Sequence, residues 1–190
     1  MPSFLSDVII VLWVAWAAYW AVSLANVKAT ARRTSGLSQF AYSAPLWLVA
    51  WLLIGRRFPI GVLNEPFMPA GPVGALAGVL LIAVGLGFAV WARRHLGGNW
   101  SATVTVKADH ELVTSGPYAL VRHPIYTGLL VALLGTAIAN GEWRGLVAVA
   151  IAAAAFAYKL SLEERWMVET FGSEYRDYRK KVAALIPFLL

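Results

Sequence analysis

The side chains and turn signals that could build a reactive site in this 190-residue chain are concentrated in residues 112–128. A Gly-Pro pair at 116–117 marks a turn within this tract. Pro124 follows Arg122 and His123, and proline suits the first position of a helix because its missing N–H would have no partner there. A helix is therefore predicted to begin at His123 or Pro124.

Arg122 and His123 stand beside this predicted helix start. The free N–H groups and the partial positive charge of a helix N-terminus favour anions, so the two side chains and the helix start predict an anion pocket. The alternative is that both side chains only extend toward lipid headgroups. The sequence leaves these two interpretations open.

A second group of ionisable residues is predicted to return beside Arg122. Glu163 follows the turn residue Glu142 by about as many positions as Arg122 precedes it, so an antiparallel hairpin places both at a similar depth. Glu164 is adjacent, and Lys159 lies one turn before Glu163. Two carboxylates at the end of a span need partners. They form either an interfacial ion pair or one wall of a site for a cationic or hydroxyl-bearing ligand.

The composition indicates that the helices carrying these residues are surrounded mainly by lipid. The chain is 59% hydrophobic and only 14% charged, which is far from an ordinary soluble domain. Zero cysteines exclude disulfides, thiolate metal sites and cysteine nucleophiles, and the irregular spacing of the three histidines argues against a metal site. The net charge of +6 is spread over helix ends, which favours membrane lipids and not nucleic acid as the partner.

Five apolar segments are predicted to cross a hydrocarbon core of about 30 Å at about 1.5 Å per residue. They cover residues 4–25, 40–54, 73–92, 124–140 and 145–162. No linker or internal repeat divides residues 1–190, so they form one membrane domain, with three spans in 1–92 and the site in 93–190. The predicted fold class is an all-α, polytopic membrane helical bundle of about five transmembrane helices. Gly74 and Gly78, and the alanines at 152–155, are expected to form thin packing faces.

The distribution of cations predicts the orientation, because short cytoplasmic loops retain Lys and Arg. With the N-terminus outside, only Arg56, Arg57 and Arg144 of the sixteen Lys and Arg residues lie on the outer side. The C-terminus and the candidate site are then cytosolic. We expect a multi-pass protein of a prokaryotic cytoplasmic membrane.

The order of motifs in the second half resembles that of a known enzyme family. The tract 112–128 is followed by Glu163-Glu164, then by Phe171-Gly172 with Tyr175 and Tyr178, and then by Pro187. This order is similar to the isoprenylcysteine carboxyl methyltransferase family and, more loosely, to the related membrane phospholipid N-methyltransferases. The resemblance covers roughly residues 96–187, and the first two spans carry no recognised motif.

The resemblance implies that S-adenosyl-L-methionine is bound at the cytosolic end of the last two helices, and that a lipid-like or prenylated acceptor arrives from the bilayer. It implies that the cofactor pocket is lined by His110, Leu112, Val113, Tyr118, His123, Pro124, Ile125 and Tyr126, beside Arg122, and closed by Glu163 and Glu164. Lys159 matches a basic position near the substrate. Arg93 and Arg94 are the candidates for an upstream catalytic arginine.

The chemistry of methyl transfer agrees with this inventory. An activated methyl donor requires alignment and exclusion of water more than a triad or a metal. A carboxylate acceptor is ionised at neutral pH and needs only a cation such as Arg93, Arg94 or Lys159 to position it, whereas an ammonium acceptor must first lose a proton. The alternatives are a phospholipid N-methyltransferase, a membrane sterol-type reductase that binds a nicotinamide dinucleotide, and a non-enzymatic helical membrane protein.

Overall fold

The computed structural model of the chain describes residues 3–26, 30–33, 35–54, 58–69, 71–100, 105–107 and 111–189. The described helices are α1 (Ser3–Ser23), α2 (Gly36–Ile54), α3 (Pro72–Leu96), α4 (Pro124–Asn140), α5 (Trp143–Phe171) and α6 (Ser173–Lys181). Short 3-10 helices lie at Leu24–Asn26, Gly61–Asn64, Gly97–Asn99 and Gly116–Ala119. A small antiparallel ribbon pairs β1 (Thr30–Arg33) with β2 (Thr105–Lys107), with Thr30 opposite Lys107 and Arg33 opposite Thr105.

Within the described residues, α1, α2, α3 and α5 are long and apolar enough to span a membrane, and α4 is a shorter apolar helix of 17 residues. The predicted all-α bundle is therefore confirmed. Pro45 lies inside α2 without ending it. The predicted end of the last span, at 162, is wrong, because the first strong stop signal is Gly172, where the backbone turns to φ 56° after α5 ends at Phe171. The carboxylates Glu163 and Glu164 consequently lie within a rigid helix.

Glycines allow α3 and α4 to approach each other closely. Gly78 and Gly85 of α3 face Gly135 and Gly128 of α4, and a Cβ built at Gly135 would stand 2.6 Å from the carbonyl oxygen of Gly78. The prediction for Gly78 is confirmed. The prediction for Gly74 is wrong, because its open side faces the Met68 side chain of the preceding loop and not another helix.

The bundle is built around two apolar clusters that meet at α4. Ile9, Ile82 and Leu86 pack with Ala132 and Ala139, which joins α1 and α3 to α4. The second cluster joins α2 and α5 to α4 and contains Val49, Leu52, Leu133, Ala148 and Ala152. The fully buried Ala152 confirms the predicted alanine packing face. Burial on both sides makes α4 the central helix, so its first turn is held in a fixed position.

A tight turn returns the chain from α4 to α5. Gly141 takes the left-handed conformation, with φ 72°, and donates its N–H to Ala137 O at 2.9 Å. Phe67 N–H donates to Gly141 O and Trp143 N–H donates to Glu65 O, so the loop before α3 covers this turn. The predicted antiparallel hairpin is confirmed, and it brings the end of α5 back beside the beginning of α4.

Candidate active site

A cavity of about 480 Å³ lies where the hairpin ends meet α1, α2 and the end of α3. Its volume falls within the range of about 300–1,000 Å³ that is typical of small-molecule sites. The residues of its wall include these members of the predicted site: Leu112, Val113, Tyr118, Arg122, His123, Pro124, Ile125, Tyr126, Lys159 and Glu163. His110 lies outside the described residues.

Glu163 is the carboxylate that faces this cavity. Its Oε1 accepts a hydrogen bond of 2.6 Å from the Tyr126 hydroxyl, and its Oε2 lies 3.6 Å from His123 Nδ1. The His123 and Tyr126 rings are stacked with their centroids 5.8 Å apart, which fixes the orientation of both. Glu163 keeps a side-chain exposure of 22%, so its carboxylate remains accessible for a ligand.

Glu164 belongs to a separate ion cluster below the cavity wall. Its Oε1 accepts from Arg122 Nε at 2.8 Å and lies 2.7 Å from Arg122 Nη2, while Arg179 Nε of α6 lies 3.3 Å from Oε2. His123 Nε2 approaches the same carboxylate at 3.3 Å. Glu164 is thus held in an ion pair with Arg122, a partner that the sequence did not predict. A direct contact of Glu164 with a cofactor stays a prediction.

The start of α4 is occupied by the C-terminal segment of the chain. Arg122 N–H donates to Ala183 O at 2.8 Å, and His123 N–H donates to Ala184 O at 3.0 Å. The Arg122 guanidinium also donates to Val182 O and Arg179 O. The Arg122 donors named here are thus directed to Glu164 and to main-chain carbonyls. Anion binding by Arg122 stays a prediction.

Lys159 is a buried cation between two aromatic rings. The residue is only 9% exposed. Its Nζ lies 5.2 Å from the ring centroid of Tyr42 and 5.3 Å from that of Tyr126. Such an arrangement stabilises an ammonium group through the ring quadrupoles. Tyr42 comes from α2, a helix for which the sequence suggested no role in the site. Lys159 therefore lies at the junction of α2, α4 and α5.

Arg93 has a structural role at the end of α3. It is 3% exposed, its Nη1 donates to Gly97 O and its Nη2 to Ser23 O, each at 2.7 Å, and its guanidinium covers the Trp100 ring at 4.6 Å. These contacts close the ends of α1 and α3, and a role of Arg93 toward the acceptor stays a prediction. Arg94 is exposed at the same helix end, and its catalytic role stays a prediction.

The loop before α4 is held against α3 by His95. His95 Nε2 lies 2.9 Å from Ser115 Oγ, and a Cβ at Gly116, where φ is +59°, would stand 2.7 Å from the His95 ring.

Two buried tyrosines lie beside this loop. Burial raises the pKa of the Tyr118 hydroxyl far above the ordinary value, with a further contribution from Glu163. Tyr178 of α6 donates to Tyr118 O, and burial raises the pKa of Tyr178 to about 12. Both hydroxyls therefore remain neutral at physiological pH.

The sequence did not identify the aromatic wall that α1 contributes. Trp16 and Trp20 line the cavity, their rings are 4.7 Å apart, and Trp20 lies 5.7 Å from Trp100. Trp13 continues this row and donates to Thr136 Oγ1 of α4 at 3.1 Å. The spacing of these tryptophans at three and four residues was the available signal, since it places them on one helix face. Asn99 also lines the cavity and was not predicted.

Comparisons with known proteins agree with the motif order of the second half. An alignment of 82 residues is 39% identical to protein-S-isoprenylcysteine O-methyltransferase of Schizosaccharomyces pombe. It covers 43% of this chain and 35% of that protein. The enzyme of the same name from Saccharomyces cerevisiae is 32% identical over 59% of this chain and 48% of its own length. The one from Rattus norvegicus is 34% identical over 60% of this chain and 41% of its own length. The chain thus matches less than half the length of these relatives.

A solved structure described as a eukaryotic intramembrane Ras methyltransferase, isoprenylcysteine carboxyl methyltransferase, is also similar. It has a TM-score of 0.47 and 23% identity, and the match covers 80% of this chain and 52% of that one. A sequence profile of the family described as "Phospholipid methyltransferase" matches residues 73–174. The predicted family resemblance is therefore confirmed. Because the profile covers more than half of its residues, from α3 through the hairpin to α6, this chain belongs to the phospholipid methyltransferase family.

Proposed function

We propose that the protein is an integral membrane methyltransferase that uses S-adenosyl-L-methionine and methylates the carboxylate of a prenylated cysteine or a similar amphiphile. The observation that carries the proposal is one cavity that combines an accessible carboxylate, Glu163, with a buried cation, Lys159, and an apolar aromatic wall. The names of the similar yeast and rat enzymes support the same reaction.

The chemistry of the cavity wall fits the cofactor. The Glu163 carboxylate has accessible surface and retains acceptor capacity beyond its bond to Tyr126, which suits an ammonium group. Leu112, Val113 and Ile125 provide apolar surface for the rest of the molecule. When bound, S-adenosyl-L-methionine supplies a methyl group that its sulfonium already activates. The protein then has to orient the two reactants and exclude water, which a wall of mostly apolar side chains does.

Lys159 is suited to hold the acceptor carboxylate. A carboxylate is ionised at neutral pH, so it requires a positioned cation and no general base. Lys159 lies within the cavity wall and one turn from Glu163 on α5, so a carboxylate beside its ammonium group is near the cofactor's charged end. The tryptophans of α1 and Leu46 of α2 give the apolar surface that a prenyl chain needs.

The orientation of the chain in the membrane is part of the proposal, with the N-terminus outside and the site in the cytosol. The basic last turns of α3 and α6 support it, because α3 ends beside the cavity at Leu96 and α6 lies against Arg122 at the same end of the bundle. Cations gathered at one end of a helical bundle favour the cytosolic side.

A phospholipid N-methyltransferase is the second candidate, and the description of the matching family favours it. Its ammonium acceptor would have to lose a proton before attack. The two reactions are separated by supplying radiolabelled S-adenosyl-L-methionine with farnesylated cysteine analogues that carry either a free carboxyl or a carboxamide, and with phosphatidylethanolamine in parallel. We expect label only on the free carboxyl. Label on phosphatidylethanolamine alone would replace the proposal with the second candidate.

A further inference from the structure

Asn99 has a buried amide oxygen that lacks a partner within the described part of the chain. The residue ends the 3-10 helix after α3, is 9% exposed, and lines the same cavity as Glu163. Its Oδ1 has almost no accessible surface and accepts no hydrogen bond. An unpaired buried acceptor is costly, and native proteins keep one mainly where a ligand or another group satisfies it. A hydrogen-bond donor brought by a ligand would satisfy this oxygen.

The surroundings of Asn99 indicate a neutral, flat ligand group. The neighbouring Trp100 is held between the Arg93 guanidinium at 4.6 Å and the Trp20 ring at 5.7 Å, so it is a rigid aromatic surface. Leu96 also belongs to this wall of the cavity, and the side chain of Glu111, which lines the cavity as well, is exposed. A prenyl chain has no N–H or O–H to offer, so it does not satisfy the Asn99 oxygen.

We propose that Asn99 recognises the adenine base of S-adenosyl-L-methionine, an assignment that rests on the proposed function. Asn99 Oδ1 accepts from the exocyclic amino group of the base, and its amide nitrogen donates to the adjacent ring nitrogen. A side-chain amide offers a donor and an acceptor side by side, which matches the paired donor and acceptor of adenine. The amino-acid end of the cofactor is charged and belongs instead at Glu163 and His123.

This assignment makes Asn99 a residue that discriminates between bases. In the analogue that carries unsubstituted purine in place of adenine, a hydrogen atom replaces the 6-amino group, so Asn99 Oδ1 would be left without its donor. By calorimetry on the purified protein in detergent, S-adenosylhomocysteine should bind about tenfold or more tightly than this purine analogue. Asn99→Leu should remove this preference by weakening adenine binding. Asn99→Asp keeps an acceptor oxygen and should retain the preference.

Asn140→Leu is the matched control, because Asn140 ends α4 at the opposite end of the bundle and should leave the preference unchanged. Equal binding of both nucleosides by the wild-type protein, or an unchanged preference in folded Asn99→Leu, would overturn the role of Asn99 and leave the methyltransferase proposal standing. Binding of neither nucleoside by the wild-type protein would contradict both proposals. If Asn99→Leu does not fold, Asn99→Asp is the deciding variant. Loss of the preference for adenine in folded Asn99→Asp overturns the inference.

Discussion

Glu163 and Glu164 are chemically identical neighbours on α5, and the structure gives them opposite roles. Glu163 faces the cavity, whereas Glu164 is paired with Arg122 and Arg179. Replacing each by glutamine and by alanine therefore tests the geometry of the site directly. We expect the Glu164 variants to lose stability, and the Glu163 variants to lose cofactor affinity while keeping their stability.

The magnitudes follow from the contacts. The side chains of Arg122 and Glu164 are each 9% exposed, and removing one partner of such a pair costs about 3–5 kcal/mol. The carbonyl groups of Val182 and Arg179 continue to solvate the guanidinium, so we expect Glu164→Ala to lie near the lower limit, at about 3 kcal/mol. The Arg179 side chain is 46% exposed and contributes at most about 1 kcal/mol. Glu164→Gln keeps one acceptor for Arg122, so its cost should be smaller.

Glu163→Gln keeps an acceptor for the Tyr126 hydroxyl, so its unfolding free energy should change by less than about 1 kcal/mol. The lost charge-assisted bond to the cofactor should weaken binding of S-adenosylhomocysteine by about 1–3 kcal/mol, or about 5- to 150-fold. Tryptophan fluorescence during thermal unfolding in detergent measures stability, and calorimetry measures affinity. Equal effects of the two glutamine variants in both assays would refute this division of roles.

Three further predictions concern the acceptor, the helix packing and the topology. Lys159→Met should raise KM for a carboxylate acceptor at least about tenfold with unchanged affinity for S-adenosylhomocysteine, whereas Lys180→Met, on the exposed face of α6, should change neither. Gly85→Ala should destabilise the bundle by about 1–3 kcal/mol, because its Cβ would collide with α4. Gly87→Ala has open space around its Cβ and should be neutral, and the unfolding midpoints of the two variants are compared. A reporter enzyme fused after Leu190 should be active only in the cytosol.

Each of these predictions can fail separately. An unchanged KM in Lys159→Met would show that Lys159 does not hold the acceptor carboxylate. Equal midpoints for the two glycine variants would contradict the close approach of α3 and α4. Activity of the reporter on the outer side would reverse the proposed orientation.

The sequence predicted the number of apolar helices, because helix number depends on local patterns. Most of the residues that the family resemblance named line the cavity. The tract 112–128 contains its own turn signals, and the return of Glu163 to the start of α4 follows from helix geometry alone. The length of α5 was underestimated because apolarity ends near Leu162 although no helix-breaking residue occurs before Gly172. The ribbon of β1 and β2 is too short for an alternating pattern to be recognised.

The contacts at the site that the sequence did not indicate join distant segments of the chain. Arg122 was interpreted as an open cation because nothing in its local sequence shows that Val182 and Ala183 fold back onto it. The family resemblance made Arg93 a catalytic candidate, and the sequence did not indicate its contact with Ser23, because the two residues are far apart in the chain. Asn99 becomes notable only when its burial is known, because a polar residue after a helix is ordinary in a sequence.

The chemical stability of the product distinguishes the proposed methyl transfer to a carboxylate from methyl transfer to nitrogen. Purified protein is supplied with S-adenosyl-L-methionine labelled in its methyl group and with a farnesylated cysteine analogue that has a free carboxyl. A methyl ester releases its label as methanol in alkali, whereas an N-methyl group does not. We predict alkali-labile label that is reduced in Glu163→Gln when S-adenosyl-L-methionine is supplied below its saturating concentration. Absence of label, or alkali-stable label on phosphatidylethanolamine alone, would contradict the claim.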